Sequence, residues 1–185
     1  MIYQSQQMEE QAILQIAAQM CGAARTAPKA TGKDIIYTLV LTGAEKDALA
    51  DKMDAMGARD FEDKGEAWYC HDARNVRGAQ ALVLIGAKRE PRGVKNCGFC
   101  GFGDCAGCVK AGGLCVYPSM DLGIALCSAA AIAADLRADT RIMMSAGKAA
   151  EEMAYIEGNI MWQGIPVSLS GKSIFFDRKK PEEVK

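Results

Sequence analysis

Ala81-Leu82-Val83-Leu84-Ile85 is an unbroken apolar run with Gly86 directly after it. Five such residues are too few for a buried helix and fit a strand covered on both faces, so the run predicts a central strand closed by Gly86. Upstream, Ile35 to Leu41 is apolar, rich in β-branched residues and uncharged, and predicts a second buried strand. Between them, Thr42 and Glu45 have capping-box spacing and Leu49, Met53 and Met56 follow on one face, which predicts a helix over 43–56 ending at Gly57. Residues 61–77, with Trp68, Tyr69 and Cys70, read as a helix with a short strand. Near the start, Ile13, Ile16, Ala17, Met20 and Cys21 form one stripe of an amphipathic helix over 8–24, followed by a polar, basic loop over 24–33.

Downstream of the central strand, Ser119 can cap a helix from Met120 to about Leu136. It is apolar on nearly every side and rich in Ala, Gly and Ser, so burial on all faces is expected, with Cys127 as a packing residue. Thr140 to Met144 reads as a strand and Ser145 to Glu157 as a helix stopping at Gly158. Ile165, Val167 and Leu169 alternate with polar residues and Pro166, turn at Gly171-Lys172 and return through Ile174-Phe175-Phe176, a strand pair. The charged tail from Arg178 is expected to fray. The pattern is one α+β domain over residues 1–185, built on a single mixed or antiparallel sheet flanked by helices.

Composition narrows the function. The 185 residues are half apolar and 24% charged, with a formal net charge of -1, which argues against disorder, a nucleic-acid partner or an acidic membrane surface. The first ten residues lack the basic start and apolar run of a secretory signal. Leu122 to Ala134 is uncharged for only 13 residues, short of the roughly 20 that span a bilayer. A cytoplasmic protein with free thiols is expected.

The chemistry is concentrated in Cys97-Gly-Phe-Cys100-Gly-Phe-Gly-Asp-Cys105-Ala-Gly-Cys108-Val-Lys-Ala-Gly-Gly-Leu-Cys115, an inserted loop over 97–115 that holds five of the eight cysteines. A domain of this size needs no disulfides for stability, so the cluster predicts a metal site. Cys97, Cys100, Cys105 and Cys115 can supply four thiolates to an iron-sulfur cluster, with glycines 98, 101, 103 and 107 letting backbone N-H groups reach the sulfurs. Phe99 and Phe102 are placed to shield it. The alternative is a structural zinc on four of the five cysteines in a non-catalytic protein; the gap of four residues between Cys100 and Cys105 is short for a zinc ribbon. A thioredoxin-like dithiol at Cys97 and Cys100 would leave three cysteines unexplained. A Rieske centre needs two histidines and the chain has only His71. Four basic residues in Lys88-Arg-Glu-Pro-Arg-Gly-Val-Lys95 read either as a solvated loop or as cations offsetting cluster charge. Gly101-x-Gly103-x-x-Ala106 lies between cysteines and not after a strand, and Ser170-Gly-Lys-Ser173 lacks the first glycine of a P-loop.

The run Cys-Gly-Phe-Cys-Gly-Phe-Gly-Asp-Cys resembles the Cys-x2-Cys-Gly-x3-Cys signature of the four-iron domains in corrinoid iron-sulfur proteins and in the B subunit of ferredoxin-oxidising membrane complexes. That resemblance implies a [4Fe-4S] cluster on Cys97, Cys100, Cys105 and Cys115, a third cysteine opening a short helix, and Cys108 as a spare. Most of the chain resembles a family of uncharacterised prokaryotic proteins containing a ferredoxin domain, through residues 23–30, 72–76, 121–125 and 164–178. More distantly, Arg25-Thr-Ala-Pro-Lys29 before a strand and the late Gly164-Ile-Pro-Val167 are similar to FMN-dependent nitroreductases. This implies a nitroreductase-like scaffold, a homodimer, and FMN at its interface with Arg25, Lys29 and Lys33 meeting the phosphate. Together the resemblances imply an oxidoreductase or electron-transfer role, with a partner protein or a small molecule accepting the electron.

Overall fold

The computed structural model describes residues 1–61 and 68–176. In chain order the elements are α1 (Ser5–Thr26), β1 (Ile36–Leu41), α2 (Gly43–Phe61), α3 (Trp68–Gly78), β2 (Ala81–Lys88), α4 (Cys105–Lys110), α5 (Val116–Asp135), β3 (Asp139–Thr140), α6 (Met144–Met153) and β4 (Ile160–Ser168). The four strands pair antiparallel in the order β1-β2-β4-β3. The fold is α+β, with helices on both faces of one sheet.

The apolar run sits at the centre because each face of β2 has its own core. Ala81, Val83, Ile85 and Ala87 point into a core with α1 and α5, while Leu82 and Leu84 point into another with α2, α3 and α6. Period-2 alternation in the backbone therefore needs no polar residue on either face. β4 divides the same way, sending Ile165 and Val167 to the first core and Ile160 and Trp162 to the second.

Several boundaries differ from expectation, each for a tertiary reason. Gly86 lies inside β2, which continues to Lys88; a Cβ there would come within 2.5 Å of the Trp162 ring on β4. The glycine admits the ring and does not end the strand. α2 runs through Gly57, which lies on its buried face, to Phe61. α5 starts four residues before Met120, with Cys115 as its N-cap instead of Ser119, and Pro118 is tolerated in the first turn where no intrahelical donor is needed. Residues 174–176 form a turn that buries Phe175 in the second core, so β4 has no partner strand returning there. Residues 62–67 and the tail from 178, for which a helix-with-strand and fraying were expected, fall outside the described residues.

α5 also corrects two expectations. At 20 residues it is long and apolar enough to cross a membrane by length and composition. In the fold its Leu122, Leu126, Ala129 and Ala133 face packs into the first core. The opposite stripe is open: Met120 is 52% and Ile124 41% exposed, and Cys127 is exposed. Burial on every face is not reached within one chain.

Salt bridges from Glu152 of α6 to Arg59 and Lys52 of α2 tie these two helices. The hydrogen bond from Arg59, and then that from Lys52, pulls the Glu152 pKa down to about 2. Because the folded value lies below the ordinary carboxylate value, the stabilisation is present above about pH 4.3 and is lost as pH falls toward 2. Arg59 is 53% and Glu152 35% exposed, so the effect is small and salt-screened. Thermal melts of Glu152→Gln against wild type should differ at pH 6 and converge as pH falls to about 2 and below; a constant offset would rule the linkage out.

Candidate metal centre

The segment between β2 and α5 leaves the sheet edge and returns as a compact loop with one short helix. Asp104 is the N-cap of α4, accepting a hydrogen bond from Gly107 N at 2.7 Å. Cys105 therefore opens a helix, as the resemblance to four-iron domains implies. Before it, Gly98, Gly101 and Gly103 all adopt positive φ (63°, 81° and 77°), which an L side chain rarely does and which folds the segment between Cys97 and Cys105 into tight turns. Gly101 N closes one of these on Gly98 O at 2.9 Å.

The turns bring Cys97, Cys100 and Cys105 to one open pocket of about 290 Å³, and Cys115 reaches it from the start of α5. Arg92, Val94, Asp104 and Tyr117 are among the remaining lining residues. The five cysteines of this segment are free. Among the described residues no three His, Cys, Asp or Glu side chains form a group placed to hold a single metal ion.

Cys108 lies one turn after Cys105 and is 1% exposed. Burial pushes its thiol pKa up, and its hydrogen bond with Cys100 and the nearby Cys115 and Cys105 push in the same direction. It is not among the lining residues of the pocket, although it is hydrogen-bonded to Cys100, which is. The Tyr117 hydroxyl hydrogen-bonds Cys97, which raises the tyrosine pKa. Tyr117 also faces Phe99 with ring centroids 6.3 Å apart. Phe99 and Phe102 remain 71% and 41% exposed, so the expected shielding by these two rings is partial.

The basic stretch before the cysteines splits into two kinds of residue. Lys88 pairs with Glu90 near solvent, the solvated-loop reading, while the partly buried Arg89 pairs with Glu151 of α6. Arg92 turns inward: its side chain is 0% exposed and its Nη2 meets Asp121 Oδ2 at 2.5 Å. The sequence signal for this pair was Asp121, the only acidic residue between Asp104 and Asp135. An isolated carboxylate on an otherwise apolar helix needs a cationic partner if it is buried.

The three residues assigned to an FMN phosphate lie elsewhere, in and after the end of α1. Arg25 pairs with Asp34 at 2.5 Å and donates to the Ile36 carbonyl. Lys29 donates to the carbonyls of Arg25 and Ala27, helping to close the C-terminus of α1. Lys33 pairs with Glu90 at 2.7 Å. Each has a partner within the protein. The link from this loop to the cysteines is Asp121, whose Oδ1 accepts from Ala30 N at 3.0 Å while its Oδ2 holds Arg92.

Among solved structures, the chain is similar to the FMN-dependent nitroreductase NfnB from Mycobacterium smegmatis in complex with NADPH, with a TM-score of 0.59 at 11% identity over 93% of this chain and 87% of that one. It is also similar to a BluB-like flavoprotein from Clostridium difficile 630, with a TM-score of 0.58 at 14% identity over 91% and 86%. At these identities the likeness establishes a nitroreductase-like fold. A family model described as an uncharacterized protein containing a ferredoxin domain matches residues 111–178, which include Cys115. An uncharacterized protein of Archaeoglobus fulgidus is 40% identical over 167 residues, 86% of this chain and 88% of that relative. On that identity and that coverage, the chain belongs to the family of uncharacterized proteins containing a ferredoxin domain.

Proposed function

We propose that the pocket holds a [4Fe-4S] cluster through Cys97, Cys100, Cys105 and Cys115, and that the protein works in one-electron transfer on a nitroreductase-like scaffold. The observation that carries this reading is the placement of four free cysteines around a single pocket. A zinc ion would need four sulfurs about 2.3 Å from one point, whereas a cluster presents a separate iron to each thiolate. The Cys-x2-Cys-Gly-x3-Cys spacing, with a gap between Cys100 and Cys105 that is short for a zinc ribbon, favours the cluster over the structural zinc. Bound there, the cluster supplies single electrons. The chain's own part is to position four thiolates, to present backbone N-H groups from the glycine turns, and to limit water through Tyr117 and the partly exposed Phe99 and Phe102.

The free cysteines also suit a reducing, cytoplasmic setting. The open stripe Met120, Ile124 and Cys127 on α5 supports a homodimer, since it would complete the burial that the composition of this helix calls for. FMN is the second cofactor considered, favoured by the shared fold. Its phosphate would have to displace the present partners of Arg25, Lys29 and Lys33. The electron acceptor is then a bound flavin, a small molecule or a partner protein.

Anaerobic purification tests both cofactors on one sample. The expected result is a brown protein with roughly four irons and four sulfides per chain that bleaches with dithionite. A colourless protein with one zinc per chain would overturn the cluster. FMN released on denaturation would place the flavin in the same chain, and its absence would leave cluster-only transfer.

A further inference from the structure

Arg92 is the one residue of the pocket whose hydrogen bonding is visibly incomplete. Its side chain is fully buried, with one nitrogen, Nη2, committed to Asp121. The other two nitrogens, Nε and Nη1, have no hydrogen-bond partner. A buried donor left unmade is costly, the more so when the group is charged. Surface arginines avoid that cost by turning to water; Arg92 is held away from it. Yet the residue lines the same pocket as Cys97, Cys100, Cys105 and Cys115.

The ion pair explains how the guanidinium is held. Asp121 is itself only 3% exposed, sits in the first turns of α5, and is fixed from its other oxygen by Ala30 N. A planar guanidinium pinned at Nη2 has its remaining edge directed by geometry, unlike a lysine ammonium on a flexible stem. The two unmet donors thus belong to a held side chain that lines the pocket.

We propose that Arg92 is a tuning residue for the cluster: Nε-H and Nη1-H donate to cluster or cysteinyl sulfur, complete the guanidinium's hydrogen bonding and raise the cluster's reduction potential. This rests on the iron-sulfur reading of the pocket. Four thiolates give the bound cluster a net negative charge that deepens by one on reduction. A cationic donor therefore stabilises the reduced form more than the oxidised form. Asp121 acts through Arg92 as a positioning residue.

Two measurements on anaerobically prepared protein test this. In wild type labelled with 15N in the arginine guanidinium groups, pulsed EPR of the dithionite-reduced cluster should show a 15N coupling; its absence overturns the proposal with no variant needed. The second compares wild type with the double variant Arg92→Met/Asp121→Asn, in which neither half of the buried pair is left charged and the introduced amide oxygen can still accept from Ala30 N. At a fixed applied potential the double variant should show about a tenfold lower ratio of reduced to oxidised cluster, a midpoint lowered by about 59 mV. An unchanged midpoint overturns the proposal. Should the double variant not hold iron, Arg92→Lys is titrated in its place, where a lowered midpoint is again expected and an unchanged one overturns. Wild type without any iron-sulfur signal is the separate failure of the cluster reading itself.

Discussion

Cys115→Ala should empty the site, taking iron from roughly four per chain to trace levels and removing the visible colour, while Cys108→Ala should keep both. Each iron of a cubane needs its own protein ligand, so deleting one of four thiolates exposes a corner to solvent and loss. Cys97 and Cys100 come from glycine turns and Cys105 from the start of α4, but Cys115 is the N-cap of α5, a helix anchored in the first core by Leu122, Leu126 and Ala129. It is the ligand position best fixed by the rest of the protein. Cys108 is buried and does not line the pocket, and its truncation removes one sulfur from a packed site. Iron and sulfide analysis of the two variants, beside their circular dichroism, distinguishes ligand from packing residue. Retention of iron by Cys115→Ala together with its loss from Cys108→Ala would reverse the assignment.

Gly147→Ala should cost more than the about 1–3 kcal/mol typical of overpacking a core. A Cβ on Gly147 would lie 2.0 Å from the Trp162 carbonyl oxygen and 2.6 Å from its carbon. These are backbone atoms of β4, so no rotamer change relieves the clash and α6 must lift from the strand, opening the second core around Ala146, Ala150 and Trp162. The gain of about 1 kcal/mol that alanine offers over glycine in a helix works against this loss and does not offset it. Gly22→Ala supplies the contrast: on the exposed side of α1 nothing lies within 4 Å of the added methyl, so the propensity gain should appear unopposed. Urea midpoints that move in opposite directions for the two substitutions are expected. Equal midpoints would show that α6 yields at little cost.

The elements legible in advance were those whose own residues decide them. The α1 stripe of Ile13, Ile16, Ala17 and Met20 is buried as its spacing requires, and the β2 run is central because nothing in it tolerates water. The fold class followed from this alternation of helices and strands. What was misjudged depended on a distant neighbour. Gly86 and Gly57 read locally as breakers, but one makes room for Trp162 and the other lies on the buried face of its helix. Ile174 to Phe176 has strand composition, yet buries Phe175 from a turn.

The same division runs through the candidate site. Cysteine and glycine spacing alone determined that residues 97–115 hold a dense set of thiols on tight turns, because those residue types have few other uses at that density. The resemblance to four-iron domains already implied Cys115 in the set and Cys108 as a spare; only the tertiary structure shows Cys115 lining the pocket at the start of α5 and Cys108 buried on α4. It also decided the fate of each cation. Arg25, Lys29 and Lys33 form a basic cluster in the sequence but are each partnered by nearby carboxylates or carbonyls. Arg92, one of four basic residues before the cysteines, is drawn inside by Asp121, 29 residues away. A charge pattern records which groups are available, whereas the partner each one finds is a long-range pairing that only the folded chain brings together.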